Sequence, residues 1–211
     1  MQRYFKRGLD FCFAAVALLL LAALMAMVAL AVLITMGSPV LFRQERPGYL
    51  ARPFTLLKFR TMTETRGGDG MLLPEAQRIT PLGRWLRRLS LDELPQLWNV
   101  LNGEMSFVGP RPLLMQYLGR YTPEQALRHS VPPGITGWAQ INGRNLTSWD
   151  ERFALDLWYV NHWSLALDFK IFVKTFVQVL RGQGIAPQGM AVMPEFAGDA
   201  PEGHKAAAGH R

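Results

Sequence analysis

Residues 90–112 read SLDELPQLWNVLNGEMSFVGPRP, and this stretch decides how the rest of the chain is read. The adjacent acids Asp92 and Glu93 precede an apolar pattern of Leu94, Leu97, Trp98 and Leu101 at helical spacing, which Asn102-Gly103 ends. Ser90-Leu91-Asp92-Glu93 fits a capping box, in which the Ser oxygen and the Glu carboxylate satisfy free amides. Pro95 argues against a cap at Ser90, because it would then clash with the Leu91 carbonyl in the second turn; a start at Asp92 leaves Pro95 in the tolerated first turn. An Asp at a helix N-terminus stays ionised and is available as a nucleophile. Pro110 and Pro112 fix φ on both sides of Arg111 and present it from a rigid elbow.

Upstream, residues 11–36 carry no charge and consist largely of Leu, Ala, Val and Met, which exceeds the roughly 20 residues needed to cross a bilayer. Arg3, Lys6 and Arg7 precede the run, and Arg43, Arg46, Arg52, Lys58 and Arg60 follow it. Positive flanks favour the cytoplasmic side, so both ends ask for the same side. A re-entrant helix satisfies both flanks, whereas a span satisfies one. Nothing inside the run breaks a helix, since Ala22 and Ala23 are good helix formers.

After Gly37-Ser38-Pro39, the apolar residues at 40–42 and 54–59 predict a small hairpin turning at Arg46-Pro47-Gly48. Residues 81–89 alternate Leu82, Trp85, Leu86 and Leu89 with Arg84, Arg87 and Arg88, which predicts an amphipathic helix with a basic face for the membrane interface or a surface helix packed on the core. Further helices are expected over 149–163 and from an Asp168 N-cap to Gly182. From Pro194 the composition turns to Gly, Ala, Pro and His, as in a disordered tail. The expected fold is α+β and predominantly helical, divided into a membrane-associated helix at 1–36, a catalytic domain at 37–193 and a tail at 194–211.

The chain has 211 residues and a net charge of +7, with 23 Lys and Arg against 16 Asp and Glu. That length suits one domain with a core, and that charge suits an anionic partner. The single cysteine, Cys12, excludes a disulfide framework or a cysteine zinc site, and the four histidines lack metal-ligand spacing. Lys58, Arg60, Arg111 and Arg144 are candidates for neutralising a diphosphate, together with a divalent cation, while Asp92 attacks and Glu93 moves a proton. A membrane-anchored basic adaptor for nucleic acid or anionic lipid accounts for the charge and the anchor but gives Asp92-Glu93 no task. No P-loop or dinucleotide-binding glycine pattern is present.

Four stretches occur in order: KFRTM at 58–62, SLDELPQL at 90–97, SFVGPRP at 106–112 and PGITGWAQ at 133–140. Together they resemble the bacterial sugar transferases, specifically the monotopic phosphoglycosyl transferases, and the likeness runs from Lys6 to about Phe196. It is greatest to small members that carry only the catalytic domain. The resemblance implies transfer of a phospho-sugar from a UDP-sugar to undecaprenyl phosphate with release of UMP, through a covalent intermediate on Asp92. It implies proton transfer assisted by Glu93, Mg2+ beside Asp92, phosphate or structural roles for Lys58, Arg111 and Arg144, and supporting roles for Asp156 and Asp168. The expected partners are a UDP-sugar, undecaprenyl phosphate and membrane lipid, with no nucleic acid. The expected place is the bacterial inner (cytoplasmic) membrane, with the catalytic domain facing the cytoplasm. The family's N-terminal helix is re-entrant, although small relatives break it with Ser-Pro where this chain has Ala22-Ala23. Similarity over 184–196 leans toward a UDP-N-acetylated amino sugar such as UDP-diacetylbacillosamine; UDP-hexose users share the same motifs.

Overall fold

The computed structural model describes residues 2–142, 148–181 and 195–198. It begins with α1 (Gln2–Met36), a helix of 35 residues and so about 52 Å long. Ala14, Val28 and Val32 lie on one buried stripe of α1, while Phe13, Leu19, Leu20, Met27 and Ile34 on other faces are exposed. Among the described residues α1 is the one helix long and apolar enough to cross a membrane. It passes through Ala22-Ala23 without a break, so no reversal of the chain occurs inside the apolar run.

Strands β1 (Leu41–Pro47) and β2 (Pro53–Phe59) form the expected antiparallel hairpin. Its turn falls later than the Pro-Gly signal suggested: Arg46 pairs with Phe54 and Pro47 with Pro53, and the reversal lies in a 3₁₀ turn at Tyr49–Ala51. A short α2 (Glu75–Arg78) leads to α3 (Pro81–Arg88), capped by the Thr80 hydroxyl on the Gly83 amide. Gly83 packs so tightly on the strand end that an added Cβ would lie 2.0 Å from the Thr61 carbonyl oxygen. A 3₁₀ turn at Leu91–Glu93 precedes α4 (Gln96–Asn102), whose last turn is closed by Gly103 at φ 85°.

Strand β3 (Ser106–Val108) follows, then a 3₁₀ segment at Met115–Arg120 and α5 (Pro123–Ala126). Strand β4 (Gly134–Thr136) pairs parallel with β3. The chain continues through α6 (Trp138–Asn142), α7 (Trp149–Asn161) and α8 (Leu165–Leu180). The mainly helical α+β class therefore holds. The last helix begins earlier than expected, because Ser164 caps it and Asp168 is turned inward in its first turn.

Both ends of α1 are bound into the rest of the molecule. Lys6 Nζ donates to Asp168 at 2.5 Å, and Arg7 donates to the Val100 and Leu101 carbonyls in the last turn of α4 at 2.5 and 2.7 Å, a cation at the negative end of that helix. Ala14 joins Phe54, Leu56, Val100 and Met105 in one core cluster, while Val28 and Val32 join Phe59 and Leu86 in another. At the far end, Arg60 donates to the Pro39 carbonyl at 2.9 Å and also to the Met36 carbonyl. Of the tail expected to be disordered, Glu195–Gly198 are described, and Phe196 is buried among Leu113, Tyr117 and Phe153; its other residues lie outside the described ones.

Candidate active site

Asp92 and Glu93 sit at the tip of a sharp corner between α3 and α4. Ser90 adopts a left-handed conformation (φ 54°) and makes no side-chain cap, so the capping-box reading does not hold. Helix α4 does not start at Asp92 either; Pro95 stands at its N-cap and the acids belong to the 3₁₀ turn before it. The corner places the two carboxylates in different surroundings. Glu93 accepts from Lys58 Nζ at 2.6 Å and from Arg111 Nη2 at 2.8 Å. Asp92 is buried, and its carboxylate takes no hydrogen bond or ion pair among the described residues.

Lys58 reaches this point through strand parity. It continues the face of β2 that buries Phe54 and Leu56, so its ammonium points toward the interior instead of solvent. Arg111 arrives from the opposite side on the Pro-Arg-Pro elbow, whose carbonyls are held one after another. Pro110 accepts from the Gly134 amide at 3.0 Å, Arg111 from Arg128 Nη2 at 2.8 Å, and Pro112 from Arg46 Nη1 at 3.4 Å.

The electrostatics separate the two acids. Burial raises the pKa of Glu93, but Arg111 and Lys58 outweigh it and hold the group at about 2. Burial raises Asp92, the neighbouring charge of Glu93 raises it further, and Lys58, Arg87 and Arg111 offset only part of this. Asp92 is thus not the dipole-stabilised, weakly basic acid that the sequence suggested. It is the more basic of the pair, which makes its ionised form the better nucleophile. Lys58 is lowered, by burial first and then by Arg111, against the pull of Glu93.

Among the other expected site residues, Arg60 is not brought to Glu93, since its guanidinium occupies the C-terminal end of α1. Arg144 lies outside the described residues. Asp156 is buried against Arg128, with oxygen–nitrogen distances of 2.7 and 3.1 Å. Asp168 accepts from Lys6, from the Tyr159 hydroxyl at 2.7 Å and from Trp163 Nε1 at 3.1 Å, which ties α1 to α7 and α8. Sequence reasoning missed Arg87 as a site residue, having placed it on the basic face of an amphipathic helix; its Nε donates to the Thr61 hydroxyl at 3.1 Å and its charge acts on Asp92. Arg46, Arg128 and Arg152 were missed as well. Among the described residues no three His, Cys, Asp or Glu side chains are grouped to hold a metal. An unpartnered Asp92 carboxylate beside Lys58, Arg87 and Arg111 nevertheless fits Mg2+ brought with substrate, since Mg2+ takes one or two carboxylates plus substrate phosphates instead of an all-protein cage.

Residues 1–182 match a family model described as bacterial sugar transferase. The chain is 57% identical, over 77% of its length and 80% of the relative's, to an uncharacterized sugar transferase, EpsL, of Bacillus subtilis. It is 46% identical to an undecaprenyl-phosphate glucose phosphotransferase of Komagataeibacter xylinus, over 81% of this chain. It is 41% identical to a UDP-glucose:undecaprenyl-phosphate glucose-1-phosphate transferase of Escherichia coli, over 86% of this chain. The chain spans 35% and 41% of the length of these last two relatives. With a match reaching from the start of α1 to the end of α8, the chain belongs to the bacterial sugar transferase family.

Proposed function

We propose that this protein transfers a hexose 1-phosphate from a UDP-hexose, UDP-glucose first among them, to undecaprenyl phosphate at the cytoplasmic face of a bacterial inner membrane, releasing UMP. The lean toward an N-acetylated amino sugar is withdrawn: named relatives act on UDP-glucose and UDP-galactose, and most of the stretch that suggested the amino sugar lies outside the described residues. The observation that carries the chemistry is the Asp92 carboxylate, buried yet unpartnered, beside Lys58, Arg87 and Arg111.

An Asp92 oxygen attacks the β-phosphorus of the donor, and the bond from that phosphorus to the bridging oxygen breaks. UMP leaves with the bridging oxygen, and the sugar phosphate remains on Asp92 as an acyl phosphate. A phosphate oxygen of the polyprenyl acceptor then attacks the same phosphorus and frees the Asp92 carboxylate. Lys58 and Arg111 bind the donor phosphates as the charge develops. When they turn from Glu93 to those oxygens, Glu93 loses the partners that hold its pKa down and becomes able to accept a proton. Mg2+ held by Asp92 and the diphosphate would neutralise phosphate charge.

For the membrane, the reading is monotopic. Phe169, Phe172, Phe176 and Leu180 of α8 are exposed, as is the outer face of α1, and together they offer apolar surface to one leaflet. Attachment of both ends of α1 to the same domain supports a helix that enters and stays on one side.

The deciding experiment is UMP release by purified protein with undecaprenyl phosphate, Mg2+ and a panel of UDP-sugars. UDP-glucose or UDP-galactose should turn over ahead of UDP-N-acetylated amino sugars. Preference for an amino sugar overturns the hexose reading, and no turnover with any UDP-sugar overturns the transferase.

A further inference from the structure

Positive charge around the elbow exceeds what the nearby carboxylates neutralise. Glu93 is shared by Lys58 and Arg111, and Asp156 is taken by Arg128. Two more guanidiniums face this group with no carboxylate of their own. Arg46, at the end of β1, donates to the Pro112 carbonyl and, at 2.5 Å, to the Gln44 side-chain oxygen, while its Nε is buried without a partner. Arg152 lies one turn before Asp156 on α7, its guanidinium 5.1 Å from the Trp149 ring centre, and its side chain makes no hydrogen bond or ion pair among the described residues.

These groups also repel one another. Burial lowers the pKa of Arg46, and Arg111 lowers it further, to about 10. Burial likewise lowers Arg152; Asp156 offsets part of this, and Arg111 and Arg128 add to it. Half-buried guanidiniums set against each other are unfavourable in the free protein, and a bound anion of two or more charges reverses the sign of that interaction.

We propose that Arg46, Arg111 and Arg152 form a subsite for the diphosphate of a nucleotide donor, with Arg111 at the β-phosphate beside Asp92 and with Arg46 and Arg152 at the α-phosphate that departs with the nucleoside monophosphate. The proposal rests on the transferase reading above. Its placement comes from the order of groups across the site. Arg87 belongs to α3, whose Leu82 and Leu86 pack with Val28 and Val32 of α1, the apolar side suited to a polyprenyl chain. Arg46 and Arg152 adjoin Arg111 next to Tyr117, Tyr121 and Trp149, in a cluster to which α1 contributes no residue. Donor and acceptor phosphates thus approach Asp92 from different ends of one row of cations, and a leaving nucleotide has its own seat while the sugar phosphate stays on Asp92.

The test is equilibrium binding of UMP to detergent-solubilised wild type, Arg152→Gln, Arg152→Lys and Arg46→Lys, with separate KM values for UDP-glucose and undecaprenyl phosphate. Arg152→Gln should weaken UMP binding and raise the donor KM about tenfold or more, as loss of a charged hydrogen bond does, with the acceptor KM nearly unchanged. Arg152→Lys should recover much of the loss, and Arg46→Lys should show a smaller effect in the same direction. Unchanged UMP affinity in Arg152→Gln, or an equal rise in the acceptor KM, overturns the subsite. So does a failure of Arg152→Lys to rescue accompanied by a lower melting temperature, which would make Arg152 structural. If wild type itself binds no UMP and turns over no UDP-sugar, the transferase reading fails; a silent Arg152→Gln in an active enzyme removes the subsite alone.

Discussion

Arg128 donates from Nη2 to the main-chain carbonyl oxygen of Arg111 at 2.8 Å, and through this contact a buried ion pair governs a residue of the active site. The guanidinium is fixed by Asp156, and both side chains are almost fully buried. Their orientation is transmitted to the elbow, which Pro110 and Pro112 have already stiffened, and so to the Arg111 side chain on Glu93. Asp156 is thereby linked to Glu93 from a distance, through Arg128 and Arg111.

Removing one partner of that pair leaves an uncompensated charge in the interior. Asp156→Asn should destabilise the protein by about 3–5 kcal/mol, read as a shift in the denaturation midpoint. Arg128→Met combined with Asp156→Leu should lose less than Asp156→Asn alone, because no charge is stranded. Equal losses would show that packing, and not the ion pair, sets stability here.

The opposite behaviour is expected of Asp92. Burial and Glu93 disfavour its ionised form, and no donor compensates it among the described residues. Asp92→Asn should melt at the same temperature as wild type or higher, while UMP release falls by about 10⁴-fold or more, the scale seen when a nucleophile is deleted. Trapping after brief exposure to a UDP-hexose should give a phosphosugar adduct on wild type and none on the variant. An adduct on the variant would place the nucleophile elsewhere.

How much of this was legible in the sequence depends on how far apart the partners lie. Lys58 could be read from strand parity, Arg111 from its two prolines, and Asp92-Glu93 from their adjacency. Arg60 shares the parity of Lys58, but the strand ends at Phe59, and one residue later the chain has turned toward the carbonyls of α1. The left-handed turn at Ser90 defeats the capping pattern, because a box needs an extended N-cap. Asp168 looks like a helix cap until Lys6, distant by 162 positions, arrives to claim it. Arg128 carries no local signal at all; its meaning comes from a carboxylate 28 residues on and a carbonyl 17 residues back.

Glu93 predicts a particular pH dependence. Its pKa lies at about 2 in the folded protein, below the ordinary 4.5, so its contribution to stability is fully present above pH 4.5 and is lost as pH falls from there through 2. Glu93→Gln should therefore be less stable than wild type at pH 7, by something of the order of 3 kcal/mol. The gap should narrow steadily in unfolding curves taken at pH 5, 4 and 3. A gap independent of pH would mean that Glu93 stabilises by shape and not by charge.

The attachment of α1 makes a prediction about topology. A helix of 35 residues is long enough, at about 52 Å, to cross a bilayer. Crossing would place its two ends on opposite sides of the membrane. Yet Lys6 and Arg7 at one end bind α8 and α4, and Met36 at the other binds Arg60, all within one folded unit. A span would have to break the first set of contacts and strand Asp168 without its cation. Both ends are therefore expected on the cytoplasmic side, with the exposed face of α1 sunk into one leaflet. With Cys12 replaced by Ser, a Gln2→Cys variant in intact cells should resist a membrane-impermeant maleimide until the cells are opened. Lys6→Met should loosen the N-terminal end without moving Gln2 across the membrane, since Arg7 still holds α4. Labelling of Gln2→Cys from outside would show that α1 crosses, and that the contacts of Lys6 and Arg7 do not survive insertion.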